Sequence, residues 1–534
     1  MRAANFDAPA VEKAARDCHA AGAKLYVTLN TLILEREYKA ALEEARLAYE
    51  AGADALIVAD LGLTRELRLN FPDFELHAST QAGVHSADGA LELQKLGFSR
   101  VVAARELSAD NIRAVVRSGV ETEIFVHGAL CVCHSGQCLF SSIVGGRSGN
   151  RGECAQPCRL PYNGKANYPL SLRDLCLAGH VREIIDSGAA SLKIEGRMKS
   201  PDYVYSAAAK WRALLDARRD ASEREIAELS RVFSRGGFTD GYFTREHDFM
   251  KGVRSDEDKK RTAVCARSME RGLQGRQAKP PLPHPERTGV QPTVHPAEAG
   301  GKARETFNTA RFYYPSRIPR KHDFRIIYVP LEKYDSSAAE KANGVMIPPV
   351  VPDSERRRVL NALKKARGLG AVYALCANVG HFALAKEAGF EHLRCDFRFG
   401  AYSAETARVL FDLGAEAVIF SPELTLAQLR DIKAPTGAIV YGRLPLMLNE
   451  LPAGKRELVD RRGALFPMIK DGGREIVLNS VPTHMSDRGA DLDRAGVTER
   501  HFVFTTESEI EIAAVIASYK NGIPTRRSNI RRIK

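Results

Sequence analysis

At 534 residues the chain exceeds a single ordinary core and has room for two barrels of about 250 residues each. Its 44% hydrophobic and 27% charged residues exclude a wholly disordered chain and a collagen-like repeat. Lys and Arg outnumber Asp and Glu by 78 to 66, a net +12 that suits an acidic partner such as RNA without demanding one.

The opening residues, MRAANFDAPAVEKAARDCHAAG, read as a helix and lack the apolar core of a secretory signal. No window reaches the roughly 18 apolar residues of a membrane span, so the expectation is a cytoplasmic protein with no membrane partner. Seven β-branched runs follow: LYVTLN (25–30), ALIVAD (55–60), ELHAST (75–80), RVVAAR (100–105), EIFVHG (123–128), LSLRDL (170–175) and SLKIEG (191–196). The stretches between them, such as REYKAALEEARLAYEAGA, carry apolar residues at helical spacing and end in Gly. Strand and helix alternating at 20 to 30 residues predict right-handed βαβ units, and seven in a row favour a TIM-type barrel. No G-x-G-x-x-G follows any strand, which weakens the open dinucleotide-binding alternative. A barrel whose chain opens on a helix lacks one or two of its first strands.

Residues 201–250 read as helical and end in RGGFTDGYF. From 251 to 304 the pattern dissolves into a basic, proline-rich linker, with twelve Lys or Arg against six Asp or Glu and six prolines between 280 and 296. The alternation resumes beyond about residue 322 with RIIYVP, GVMIPP, AVYALC, HLRCDF, AVIFSP, GAIVYG, EIVLNS and FVFTTE. Residues 85–115 laid over 402–432 without gaps give ten identities in 31, and HG at 127–128 meets YG at 441–442 after a three-residue shift. The chain therefore reads as an internal duplication. The expected organisation is α/β: an N-terminal TIM-type barrel lacking its first strands over 1–250, a linker over 251–321, a related barrel-like α/β domain over 322–518 and a basic tail over 519–534.

Five of the ten cysteines, Cys131, Cys133, Cys138, Cys154 and Cys158, fall within 28 residues, beginning where a barrel strand ends. The second copy has Gly442 followed by RLP at that point and no such cluster. The carboxyl end of a barrel strand is where barrel enzymes keep their chemistry. Clustered thiols in a reducing compartment point to a metal or cluster. Four thiolates suit zinc or an iron-sulfur cluster, and the absence of C-x2-C knuckles with the nearby Gly128, Gly136, Gly149 and Gly152 favours iron-sulfur, with Cys133 as spare.

The segments EIFVHGALCVCHSGQCLFS, RGECAQPCR and SLKIEGRMKSPDYV resemble the signature segments of peptidase family U32, the collagenase-like proteases, over residues 1 to about 250. Longer members of that family carry further C-terminal domains, and members begin with an extra strand-helix-strand. The resemblance implies either proteolysis or oxygen-independent hydroxylation of a pyrimidine in rRNA or tRNA. Prephenate is the implied hydroxyl source, and a [4Fe-4S] cluster is held by four cysteines falling on Cys131, Cys138, Cys154 and Cys158. A further alternative is an accessory protein whose cluster is structural.

Protease machinery is thin, because neither H-E-x-x-H nor G-x-S-x-G occurs. A cysteine nucleophile with His127 or His134 as base is conceivable, but five thiols in one loop are poor evidence for one nucleophile. Other polar residues fall at expected carboxyl ends of strands. His127, Glu195 and Arg105 are the expected catalytic set; Asn30, Asp60, His77, Gln81, Lys193 and Arg197 are expected to bind substrate. For Lys193, Glu195 and Arg197 the competing reading is an ion-pair ladder on the barrel rim. The linker and tail are the expected phosphate contacts, with a frayed, solvated tail as the alternative.

Overall fold

The computed structural model describes residues 5–197, 199–258, 260, 279–295 and 305–523, which form two parallel βα sheets sharing an extensive interface. In the first, β1 (Tyr26–Leu29), β2 (Ala55–Val58), β3 (Glu75–Ala78), β4 (Arg100–Val102) and β5 (Glu121–Ala129) run parallel in chain order. The run at 170–175 is not a barrel stave as expected: β6 (Asp174–Cys176) pairs antiparallel with the last residues of β5. Nine residues make β5 longer than its neighbours, so its end projects past the rim, and the chain returning from the cysteine loop zips onto it backwards. The sixth parallel stave is β7 (Ser191–Ile194), which pairs with the body of β5, while β8 (Phe238–Thr239) joins β6.

The second sheet begins earlier than expected. Its first stave, β9 (Phe307–Phe312), falls in the span read as linker, because its inward residues Thr309 and Arg311 are polar and hide the strand pattern. After it come β10 (Phe324–Pro330), β11 (Gly344–Met346), β12 (Tyr373–Cys376), β13 (His392–Cys395), β14 (Ala415–Val418) and β15 (Thr436–Gly442). Next is an antiparallel insert of β16 (Pro445–Asn449), β17 (Glu457–Val459), β18 (Leu465–Asp471) and β19 (Arg474–Leu478). The EIVLNS run belongs to this insert, not to the barrel. After β20 (Thr483–His484), β21 (Val497–Phe504) pairs with both β15 and β9, and an Ile419–Gly437 bridge joins β14 to β15. Eight parallel staves thus close into a ring.

Staves β11 to β15 and β21 repeat β1 to β5 and β7; β9 and β10 have no counterpart among the described residues of the first sheet, whose edges β1 and β7 stay open. The duplication extends to backbone detail, at a spacing of 317 residues before β5 and β15. Ser86 (φ −149°, ψ 162°) and Ser403 (φ −148°, ψ 162°) cap equivalent helices through their hydroxyls, and Gly83 and Gly400 occupy the same left-handed turn. The copies pack about an approximate two-fold axis. Helix Leu61–Asn70 lies on helix Ala404–Asp412, and helix Ala87–Lys95 lies on Gly380–Glu387. At the two crossings Gly62 faces the Thr406 amide and Gly380 the Gly89 amide, where a Cβ would come within 2.6 Å and 2.8 Å.

The insert binds the two barrels through the cysteine loop. Backbone bonds run from His134 N to Leu448 O and from Leu139 N to Leu446 O, each 2.8 Å, so the loop lies along β16. The proline-rich strap at 279–295 lies along the outside of the first barrel, with Arg287 donating to Ala53 O at 2.7 Å and stacking on Tyr49. That arginine, counted among the expected phosphate contacts, is engaged with the barrel. Most of the basic tail and residues 261–278 lie outside the described residues. Among those described, no helix is long and apolar enough to cross a membrane.

Candidate functional site

The cysteine loop leaves the carboxyl end of β5 at Gly128, whose φ of 116° and 2.8 Å Cβ approach to the Glu195 side chain require glycine. Its five thiols are free and close enough to feel one another's charge. Burial, reinforced by Cys138, pushes the Cys131 thiol up to about 11, and burial also raises Cys158, which senses Cys131, Cys138 and Cys154. Cys138 goes the other way, because Cys133 and the Phe140 and Ser141 amides hydrogen-bond its sulfur. Cys133 is set apart: it is 2% exposed and accepts from Leu448 N of the insert at 3.4 Å. Soft sulfurs collected at one barrel mouth, each costly to ionise alone, form a donor set for a thiophilic metal or cluster. Cys131, Cys138, Cys154 and Cys158 can hold it, with Cys133 tied to the insert.

Cations surround this cage. Arg159 follows Cys158 and donates to Leu130 O, Leu172 O and Ser171 Oγ, fixing both ends of the loop. Arg235 pairs with buried Asp174 on β6 and senses Cys158. Burial drives Lys199 down to about 8; its ammonium sits 2.9 Å from the Phe233 ring centroid. None of Asp174, Arg159, Arg235 or Lys199 was singled out from the sequence: Asp174 and Arg235 meet across 61 residues, on a strand that breaks the barrel rhythm and a glycine-rich loop.

The three expected catalytic residues do share the mouth. Arg105 lies 3.7 Å from Glu195 and 4.4 Å from the Phe125 ring, and the Glu195 amide donates to His127 O. Burial, with Lys199 nearby, pulls His127 down to about 4, so it is neutral at pH 7, and its Nδ1 has no partner. Asn30 donates to Ser79 Oγ, and Gln81 lines a crevice between the barrels with Gln137, Asn378 and Arg398.

Three expected substrate contacts are spent elsewhere. Asp60 caps helix Leu61–Asn70, accepting from Ile33 N, Leu63 N and Tyr38 within its own barrel and from Thr406 of the second, so its carboxylate is spent on holding the fold. His77 and Lys193 face the amino-end floor: His77 reaches Glu75 and Tyr26, and Lys193 reaches Glu123 at 2.8 Å. The strand period of two sends every second residue inward, and inward residues early in a strand face the floor. Arg197 is exposed on the rim, its amide bonded to the Glu195 carboxylate.

A second polar group lies beside the cage. Glu106, one residue beyond Arg105, accepts from His85 Nε2 at 2.8 Å, His134 Nδ1 at 2.9 Å and Ser135 N and Oγ at 3.0 Å. Burial would raise its carboxyl, yet His134 and His85 hold it well below the usual range.

Parallel βα topology with clustered thiols at one mouth defines an α/β barrel protein with a soft-sulfur donor set. Residues 1–251 match the family model Peptidase family U32, and the chain belongs to that family. It is 41% identical over 246 residues to the 23S rRNA 5-hydroxycytidine C2501 synthase of Escherichia coli, covering 44% of this chain and 36% of that one. It is 33% identical over 295 residues to an uncharacterized protease of Methanocaldococcus jannaschii, covering 50% and 71%. To the tRNA hydroxylation protein P of Helicobacter pylori it is 34% identical over 251 residues, covering 42% and 59%. The chain thus spans about a third of the first relative and about three fifths of the third.

Proposed function

We propose that this protein is an RNA-modifying enzyme that hydroxylates a pyrimidine of rRNA or tRNA without oxygen, with a [4Fe-4S] cluster on Cys131, Cys138, Cys154 and Cys158. The observation that carries the reading is the thiol cage, inside the segment shared with relatives named for rRNA and tRNA hydroxylation. When bound, such a cluster supplies one-electron chemistry. The chain's own residues supply the rest. Arg105, Arg159, Arg235 and Lys199 offer cationic contacts for an anionic substrate: a nucleotide phosphate or a carboxylate such as prephenate. Neutral His127 can take a proton at Nδ1, and Arg105 holds the Glu195 carboxylate in place.

The protease reading has less behind it. A thiol nucleophile is activated by a depressed pKa beside an imidazole, whereas Cys131, Cys154 and Cys158 are raised by burial. The test is a nucleoside mass comparison of total RNA from cells with and without the gene. Loss of one hydroxylated pyrimidine is the expected result. Unchanged RNA together with gelatin cleavage by the pure protein would favour proteolysis.

A further inference from the structure

The hydrogen-bonded hub beside the thiol cage has more imidazole than its structural task needs. His85 lies past β3 and its turn, just before helix Ala87–Lys95, Glu106 beyond β4 and His134 in the cysteine loop; their side chains are 3%, 5% and 1% exposed. One ligand atom from each lies within 4.8 Å of the others. The second barrel supplies a control. At the same 317-residue spacing, His85 and Glu106 become Tyr402 and Glu423, which hydrogen-bond each other and tie in Asn150 of the cysteine loop. A Tyr-Glu pair therefore suffices to cement these loops, and in the first barrel Ser135 already tethers its loop to Glu106 through amide and hydroxyl. Two histidines on one carboxylate remain unaccounted for.

Two further observations point to a ligand. The far nitrogen of His134, Nε2, lies 3.1 Å from the Glu450 carboxylate, off line for a hydrogen bond, and Arg474 anchors Glu450 at 2.8 Å. A carboxylate behind an imidazole is how metal-ligating histidines are oriented. Tyr242 is 2% exposed, its hydroxyl has no partner, and Glu106 is its strongest charged neighbour, followed by Cys131. A buried hydroxyl left unpaired costs about 1–3 kcal/mol.

We propose that His85, Glu106 and His134 form a second metal site, for a borderline divalent ion of the Zn2+ or Fe2+ kind, distinct from the thiol cage. Two imidazole nitrogens and one carboxylate oxygen are the donor set such ions take, with a position left open for water. Tyr242, buried with an unpaired hydroxyl that senses the Glu106 charge, is the group assigned to that water. Each histidine nitrogen now sits at hydrogen-bond distance from one Glu106 oxygen, 2.8 and 2.9 Å, and a tetrahedral ion roughly 2.0–2.2 Å from each ligand would need each pair to open by about half an ångström.

The test uses the full-length protein, purified anaerobically and stripped with a mild chelator, titrated with Co2+ and separately with Zn2+ and Fe2+. Expected is one equivalent of Co2+ with visible d–d bands and no sulfur-to-cobalt charge-transfer band. The cage's own absorbance should not change. A charge-transfer band would instead report Co2+ in the cage, so this proposal and the cluster reading fail separately. His85→Tyr copies the pairing the second barrel tolerates, which guards against misfolding, and should weaken Co2+ and Zn2+ binding by at least about tenfold. Glu450→Gln should weaken it by about 10- to 100-fold with the fold intact. Uptake of no ion by wild type, or equal affinity in His85→Tyr, overturns the proposal. The Zn2+ and Fe2+ arms decide which ion the site prefers.

Discussion

The two barrels are copies that have divided the work. The second closes its ring with eight staves and fills its interior with salt bridges: buried Arg311 pairs with Asp396, and Arg394 pairs with Glu499. The first has six parallel staves with open edges, yet it carries every clustered thiol, the neutral His127 and the His85–Glu106–His134 hub. Where the first copy extends β5 into a cysteine loop, the second leaves β15 at Gly442 and enters an antiparallel insert that grips that loop. The lesson is that one copy can brace the other. The cysteine loop of the first barrel is held in shape by strands that belong to the second.

That division can be broken experimentally. The largest effect is expected from thiols: Ala at Cys131, Cys138, Cys154 or Cys158 should abolish the visible absorbance of anaerobically purified protein, whereas Ala at Cys176, or at Cys376 in the second barrel, should leave it intact. Retained colour in Cys154→Ala would remove that residue from the ligand set.

Next comes pH. His127 is neutral in the folded state down to about pH 4 but titrates near 6.5 when unfolded. Its stabilising contribution is complete above pH 6.5 and is lost as pH falls toward 4, by about 3 kcal/mol. Its counterpart Tyr441 does not titrate in that window, so His127→Gln should flatten the acid limb of a urea-unfolding series, and an unaltered limb would count against the assignment.

The two-fold axis predicts paired costs. Gly62→Ala and Gly380→Ala should each destabilise by about 1–3 kcal/mol, since each new Cβ meets a helix-terminal amide across the interface. Denaturant midpoints lowered in only one of the two would show that the axis is not shared energetically. The smallest effect is expected at Tyr402→Phe, which strips a hydrogen bond from buried Glu423 at a cost of about 1 kcal/mol, read in the same titration.

Much of this was legible in the chain. Six of the seven N-terminal runs are parallel staves because buried parallel strands are written as continuous apolar words, of which ALIV in β2 is the plainest. The repeat was legible because helix caps and turns, such as Ser86 with Ser403, keep their identity when packing residues drift. β9 was hidden because barrel interiors tolerate polar residues that pair across the lumen, and Arg311 finds Asp396 85 residues away. The cysteines announced themselves by density. His77 and Lys193 misled because a strand places polar residues at both rims, and sequence does not say which rim an inward side chain reaches. Asp60 looked like a site residue and is a helix cap, while Glu106, one position past Arg105, is the hub.

The bonds from the cysteine loop to β16 also set an order of events during synthesis. Cys133 accepts from Leu448, 315 residues later in the chain, so the thiols leave the ribosome long before the strand that holds their loop exists. At about 5–20 residues per second, that interval is tens of seconds. During it the loop lacks the strand that later lies along one side of it, and the thiols stay accessible. Completion of the insert then covers that side, so the second copy closes the loop of the first only at the end of synthesis.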